Sequence, residues 1–517
     1  MRERPHWLLH ESLLESGEKH AGKTALVVDG DPHSYEELLE SSLRLARGLQ
    51  DLGLERGDRV VIQMENSWPC ALAIFATLLG GGVFVVVNAQ TKEEKLTYIL
   101  DDSEAALLLT EGHLARMLPG AAEGLPALRA VVCADAPPDD PTLVDLGGLV
   151  RRSEPAPRSE GTIPLDLASL IYTSGTTGNS KGVMMTHRSM VFAAESVCRY
   201  LRLSGDERIL DVFPLSFSYG LYQLLLAVRL GATLVLERSF AFPAQTLRRI
   251  AEHGVTVFPG VPTMFATLLS LKDPPVSPSV TRVTNAGAAL PPEFVPGIER
   301  LFPNALLFLM YGQTECKRVC FLAPELVRTK PASVGRAMPG TEAFVLAADG
   351  RRAAPGEVGV LHVRGPHVMA GYWRQPELTE TVLREGPVPG ERMLCTHDLF
   401  RTDEDGDLFF VARSDDIINT RGEKVSPVEV EHVLYGIPGI REAAVLGVPD
   451  DILGEQVCAF VVLDPDVSLS EQEIRRACRA RLENVMVPTR IVFLPELPKT
   501  PTGKIRKREL VVAEAVT

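Results

Sequence analysis

The sequence is poor in the features that mark nucleic-acid binders, membrane proteins and disulfide scaffolds. Basic residues are the minority, 53 Lys and Arg against 67 Asp and Glu, for a formal charge of −14. Such a chain has no excess of cations to neutralise a phosphate backbone, which argues against a nucleic-acid partner while leaving room for a local anion site. Long apolar runs are missing: "LYQLLLAVRL" is broken by Gln223 and Arg229 and falls well short of the ~20 residues a membrane span needs. The opening "MRERPHWLLHESLLESGEKH" has Glu11 and Glu15 among its leucine pairs, so no signal-peptide core is expected and the cytoplasm is the expected compartment. The eight cysteines, at 70, 133, 198, 316, 320, 395, 458 and 478, form no CxxC pair and have no His partner at zinc-finger spacing. They are expected to be buried thiols, Cys316 and Cys320 as a core pair rather than a metal site. No repeat of solenoid period occurs.

What is present reads as a soluble globular chain of two or more domains, with 517 residues, 45% hydrophobic and 23% charged. From Ser34, the spacing of Leu38, Leu39, Leu43, Ala46 and Leu49 predicts a helix, followed by the strand-like "RVVIQM", an Ala/Leu helix near Cys70 to Leu79, and the strand "VFVVV". This alternation is an α/β signature. The Pro- and Asp-rich "CADAPPDDPTLVD" and "RRSEPAPRSEGTIP" read as exposed connections. Alternation resumes with the strands "ATLVLE" and "VTVFPG" and the helix "QTLRRIAEHG", closed by its terminal glycine. Past Gly340, apolar runs separated by Asp-Gly and Pro-Gly turns predict antiparallel β. From near Asp415, a helix-strand-strand-helix pattern predicts a separate α+β unit.

One stretch asks for chemistry. "IYTSGTTGNSKGVMMTH", Ile171 to His187, places glycines, hydroxyls and Lys181 behind an apolar strand. Glycines let consecutive amides turn toward an anion, hydroxyls add donors, and Lys181 can supply countercharge. A Walker A loop does not match, because Lys181 lies between Ser180 and Gly182. A plain surface turn would leave the adjacent threonines and the lysine unexplained.

"YTSGTTGNSKGV" resembles the phosphate loop of the adenylate-forming enzymes, the superfamily that includes AMP-dependent acyl- and aryl-CoA synthetases, nonribosomal adenylation domains and beetle luciferases. Further motifs recur in the family's order: "SYEEL", "GDRV", "NAGAALPPE", "MYGQTE", "GEVGVLHVRGPHVMAGYW", "THDLFRTDEDGDLFFVARSDDIINTRGEKVSPVEVE" and "PKTPTGKIRKREL", together running from about Tyr35 to Lys504. The resemblance implies a large N-terminal AMP-binding domain, residues 1–414, of packed α/β sheets plus a β subdomain. A small mobile α+β domain, residues 415–517, would carry the catalytic lysine. It also implies ATP and Mg²⁺, and as acceptor coenzyme A or a carrier-protein phosphopantetheine.

Residue by residue, the resemblance assigns Thr173, Ser174, Gly175, Thr176, Thr177, Gly178 and Lys181 to the phosphates. Gly287, Ala288, Ala289, Tyr311 and Gly312 would line the adenine site, Thr314 the α-phosphate, and Glu315 would hold the metal. Asp398 and Arg413 would take the ribose, Lys504 would bridge the substrate carboxylate and the α-phosphate, Asp415 would be the hinge, and Gly422 would face the thiol tunnel. The chemistry wants these types: a carboxylate becomes an electrophile only once its oxygen leaves as AMP, and cations and donors must sit where charge builds.

For the acid, "PLSFSYGLYQL" is the informative stretch. Ser218 stands where amino-acid-activating relatives have an aspartate, and an α-ammonium there would lack its partner. The pocket floor is expected to be Phe217, Ser218, Tyr219, Val261, Asn285, Ala286 and Met310, mostly apolar, which suits a fatty or aromatic acid. His397 and Ala412 replace family glycines, and Asn419 replaces a frequent lysine. The expected function is AMP-forming activation of a small carboxylic acid and transfer to coenzyme A. The alternatives are loading of an acyl carrier protein, amide formation, luciferase-like oxidation, and nucleotide binding without catalysis.

Overall fold

Burial on both faces selects the strands that open the framework. Val83–Val87 is buried at every position and pairs in parallel with Arg59–Gln63, as expected for strands covered by helices on both sides. The computed structural model describes residues 6–115, 124–137, 140–155, 161–174, 180–420, 423–450, 453–500, 503–507 and 509–510. The helix Tyr35–Asp51 starts at a capping box in which Ser34 accepts from the Glu37 amide while the Glu37 carboxylate accepts from the Ser34 amide. Its buried stripe, Tyr35, Leu38, Leu45 and Leu49, packs on the helix Trp68–Leu79.

Among the described residues three sheets form. The eight-stranded sheet runs from Leu143–Asp145 through Ala130–Ala134, Ala105–Glu111, Arg59–Gln63 and Val83–Val87 to Leu167–Ser174, Ser180–Thr186 and Gly371–Tyr372. Its last three strands are antiparallel. Leu143–Asp145, expected as exposed connection, instead pairs in parallel with Ala130–Ala134; three residues between Pro- and Asp-rich flanks carry too short a pattern to read as a strand.

The 14-stranded sheet joins two textures. Thr24–Val28, Thr233–Leu236, Arg208–Asp211, Val257–Gly260, Arg282–Asn285 and Leu306–Tyr311 are parallel neighbours. The sheet then continues antiparallel through Cys320–Leu322 and Ser333–Ala337 into the β subdomain, where Glu342–Leu346 and Gly359–Arg364 form the expected hairpin. The third sheet, from Ile418 to Phe493, has five strands. The helices Pro427–Tyr435 and Glu471–Arg479 add Val430, Leu434 and Ile474 to its core with Val445 and Val461. Its fifth strand, Arg490–Phe493, runs parallel to Gly454–Leu463, a pairing the helix-strand-strand-helix pattern did not contain.

All eight cysteines are buried, and none is in a disulfide. Cys316 and Cys320 share no helix: the first ends a 3₁₀ turn and the second starts a strand. No described helix is long and apolar enough to cross a membrane. The carboxyl ends of Val257–Gly260, Arg282–Asn285 and Leu306–Tyr311 deliver Val261, Ala286 to Ala289, and Gly312 to Glu315 to one end of the large sheet, the end where open α/β sheets bind ligands.

Candidate active site

The glycine-rich stretch is the bend of a hairpin. Leu167–Ser174 and Ser180–Thr186 are antiparallel, with Thr173 opposite Lys181 and Ser174 opposite Ser180. The bend, with Gly175, Thr176, Thr177 and Gly178, lies outside the described residues, as does the side chain of Ser174. At its base the Thr173 hydroxyl is buried without a hydrogen-bond partner, an orphan that an anion in the bend would satisfy.

Lys181 is held from across the cleft. Its Nζ donates to the Tyr372 hydroxyl at 2.6 Å, and that hydroxyl donates to Glu315 Oε1 at 2.8 Å. Lys181 and Glu315 are themselves 3.3 Å apart, and the ammonium sits 4.1 Å from the Tyr372 ring centroid. Tyr372 reaches this position because Gly371–Tyr372 pairs with the Lys181 strand and Glu315 is tied back through the Met369 amide. Burial, then the Glu315 charge, raises the Tyr372 pKa, which keeps the bridging proton in place. Glu315 is a hard oxygen donor in a cleft already holding one cation, and so fits a Mg²⁺ that arrives with phosphates.

A second cluster gathers residues expected at the nucleoside. Tyr311 donates to Asp398 Oδ2 at 2.5 Å, and the Gln313 amide donates to the same oxygen at 2.9 Å and to the Thr396 carbonyl at 3.0 Å. Burial raises the Asp398 pKa, and the hydrogen bonds from Tyr311 and Gln313 and the charge of Arg413 oppose the rise. Arg413 lies opposite Asp398 in the strand pair, but its guanidinium is exposed and bonds Asp415, Nε to Oδ1 at 3.1 Å. The expected ribose donor is thus tied to the expected hinge residue. His397, in place of the family glycine, has φ 57°, a left-handed backbone that disfavours a side chain.

The strip expected at the adenine follows its strand directly, with Gly287 and Ala288 exposed and Ala289 half-buried. Asn285, expected in the acid pocket, also braces the strip by donating to the Ala288 carbonyl at 3.0 Å, while its Oδ1 is buried and unpaired. Gly312 is required by close approach: a Cβ there would lie 2.7 Å from the Arg318 amide nitrogen. Thr314 and Glu315 follow on the 3₁₀ turn Thr314–Cys316.

Lys504, nearly two hundred residues downstream in sequence, arrives at the same cleft. A methyl group on Gly287, whose φ is 87°, would sit 3.3 Å from Lys504 Cε, and Lys504 Nζ lies 5.6 Å from the Phe217 ring centroid. The turn that carries it is anchored where Thr263 donates to the Gly503 carbonyl at 2.8 Å. Lys504 is exposed, with Gly287, Phe217 and Thr263 packed beside its turn. Burial, then the charge of Arg413, lowers its pKa, opposed by Asp398 and Glu315. One ammonium therefore feels the Asp398 and Glu315 carboxylates together.

The acid-pocket residues also converge. Phe217 and Tyr219 meet edge to face at 6.4 Å, Tyr219 shares a hydrogen bond with the Thr284 hydroxyl at 2.6 Å, and Tyr200 donates to Met310 Sδ at 3.0 Å. Tyr219, Val261, Asn285, Ala286 and Met310 are all buried, whereas Phe217 and Ser218 at the helix start are half-exposed. Gly422 lies outside the described residues. Sequence reading missed Tyr372, Gln313, Thr263, Lys317 and Arg318. Tyr372 and Gln313 lie inside quoted motifs, and Lys317 and Arg318 follow "MYGQTEC" directly, so their positions were visible while their partners were not.

The chain matches the family model described as AMP-binding enzyme over residues 13–373, and the model of the AMP-binding enzyme C-terminal domain over 429–504. It is 32% identical to a long-chain-fatty-acid–CoA ligase of Bacillus subtilis, covering 99% of this chain and 95% of that protein. It is 33% identical to a feruloyl-CoA synthase of an Amycolatopsis species, covering 94% of this chain and 95% of that one. Among solved structures, a benzoate CoA ligase from Burkholderia xenovorans LB400 superposes with a TM-score of 0.88 at 29% identity, covering 98% of this chain and 100% of the other.

Proposed function

The chain belongs to the AMP-binding enzyme family, as an ATP-dependent, AMP-forming acid–thiol ligase of the acyl- and aryl-CoA type, and on that premise we propose how its residues divide the work and which acids it takes. The carrying observation is convergence: Lys504 stands over Phe217 and beside Gly287, within the fields of Glu315 and Asp398, while Lys181, Tyr372 and Glu315 form one bridged unit. Two anions, the substrate carboxylate and the α-phosphate, must approach for AMP transfer, and a long-stemmed ammonium between them lowers that repulsion. Lys181, with Thr173 and Ser174 to Gly178, would hold the outer phosphates, and Thr314 the α-phosphate. Glu315 would hold Mg²⁺, which supplies charge neutralisation on the phosphates. Asp398 would accept from the ribose hydroxyls, with Tyr311 and Gln313 fixing its orientation, and the strip Gly287 to Ala289 would admit the adenine.

Once pyrophosphate leaves, the same cleft must admit a thiol. Asp415, in the short connection before the third sheet, is the proposed pivot between residues 1–414 and 415–517, and Gly422 the proposed close approach to pantetheine. Ser218 leaves an α-ammonium unpaired, so the acid is fatty or aromatic rather than an α-amino acid, as with the fatty-acid, feruloyl and benzoate ligases it resembles. Coenzyme A is the proposed acceptor. The test is a pyrophosphate-release screen over fatty, aromatic and amino acids with ATP and Mg²⁺, repeated with coenzyme A and with a phosphopantetheinylated carrier protein. AMP and an acyl-CoA are the expected products. ADP in place of AMP, discharge only by the carrier protein, or preference for amino acids would each overturn the corresponding part.

A further inference from the structure

Behind the acid pocket stand two cations that no part of the reaction above uses. Lys317 is 1% exposed and Arg318 is 7% exposed. Lys317 Nζ and Arg318 Nε have no hydrogen-bond partner. Both lean on aromatic faces of the helix Ser218–Leu230: Lys317 Nζ is 4.7 Å from the Tyr222 ring centroid, and the Arg318 guanidinium carbon is 4.5 Å from that of Tyr219.

Packing alone does not account for them. A methionine would fill the Lys317 stem volume without an orphaned polar head, and burying an unpaired amine is unfavourable. The backbone is also held against preference, with Arg318 at φ 59° and its amide pressed against Gly312; such outliers persist where a site requires a side chain's direction. Arg318 shares a hydrogen bond with Tyr200, but among the described residues neither Lys317 nor Arg318 is in an ion pair, which leaves an anion to be supplied by a ligand.

The path between the two ends is aromatic. Lys504 lies over Phe217, Phe217 meets Tyr219, Arg318 lies over Tyr219, and Lys317 lies over Tyr222 one helical turn further on. On the ligase reading above, the activated carboxylate would sit at the Lys504 end. We propose that Lys317 and Arg318 form a second-anion subsite at the far end of the acid pocket, so that the acid activated by this enzyme carries a second carboxylate. The inference rests on the ligase reading above and narrows it from fatty or aromatic monoacids to diacids with a compact or aromatic skeleton. A guanidinium fork beside an ammonium matches a carboxylate's planar pair of oxygens.

The test uses the full-length enzyme with ATP, Mg²⁺ and coenzyme A, and reads AMP formation. The acids are matched sets: benzoate, benzene-1,3-dicarboxylate and its monomethyl ester, and hexanoate, hexanedioate and its monomethyl ester. In at least one set the diacid is expected to exceed its half-ester in kcat/KM by about 100-fold or more, because the ester leaves buried donors unpaired. Lys317→Met should collapse that ratio by about tenfold or more through loss on the diacid, with its melting temperature reporting that the chain is folded. Half-esters or monoacids used as well as diacids by the wild type would overturn the subsite without any variant. So would a ratio that survives both Lys317→Met and Arg318→Met. If simple monoacids and diacids alike, across the wider panel, give no AMP, the ligase reading fails and the subsite falls with it.

Discussion

Tyr372→Phe is the sharpest single perturbation of the proposed phosphate side of the cleft, because it deletes one oxygen and leaves the ring. That oxygen accepts from Lys181 at 2.6 Å and donates to Glu315 at 2.8 Å, and hydrogen bonds to charged groups contribute about 1.5–3 kcal/mol each. The two losses do not sum. Lys181 and Glu315 already lie 3.3 Å apart and can close on each other, and the cation over the ring at 4.1 Å is retained. A net loss near one such bond, about 1.5–3 kcal/mol, corresponds to a fall in kcat/KM for ATP of about 10- to 100-fold. Tyr372 is buried among neighbours that keep their packing, so the melting temperature should move by less than about 3 °C. AMP formation across a range of ATP concentrations measures the first half-reaction. Thioester formation from a supplied acyl adenylate isolates the second, which should stay within about twofold of wild type because it requires no outer phosphates. Equal losses in both halves would mean that the variant disturbs the fold rather than phosphate positioning, and wild-type ATP kinetics would mean that the bridge has no role.

Three further outcomes follow from other parts of the molecule. Lys504→Ala should lower adenylate formation by about 100-fold or more while sparing thiolysis of a supplied adenylate, and a variant that exchanges pyrophosphate at the normal rate would remove Lys504 from the chemistry. His397→Gly should raise stability in chemical denaturation by about 1 kcal/mol, since it releases a left-handed non-glycine residue; a loss of stability would show that the imidazole does more than occupy the turn. His367 is fully buried, has no partner at either ring nitrogen, and has its pKa lowered to about 4 by burial. A histidine depressed from 6.5 favours the folded state fully above the unfolded value, and the unfolded chain gains the proton first as pH falls. Stability should therefore drop between about pH 6.5 and 4, by about 3 kcal/mol in full for this group, and a pH 7.5 to 5 denaturation series that His367→Gln fails to flatten would refute it.

Much of the molecule is written locally. The capping boxes at Ser34 and Ser470, the αL glycines that close helices at Gly231 and Gly254, and the buried valines of Val83–Val87 are decided by residues within a few positions of one another. Sequence pattern is sufficient there because the interactions span one turn of helix or one strand. The same holds for the ordered motifs, which carried the family without any coordinates and singled out Lys181, Glu315, Asp398 and Lys504 as candidates.

Pairings across hundreds of residues had no local trace. Tyr372 lies 191 positions from Lys181, and Thr263 lies 240 from Gly503. The short edge strand Leu143–Asp145 exists because Ala130–Ala134 offers it a ladder. Lys317 and Arg318 are the clearest case, since in sequence they are an ordinary basic pair and nothing nearby foretells that both will be buried. Sequence alone determined which chemical groups are available and which short segments become helices or strands, because those depend on neighbours along the chain. Tertiary structure alone decided which groups meet, which polar atoms lose water without gaining a partner, and hence where an unmet charge waits, because desolvation and long-range contact arise only when distant segments pack.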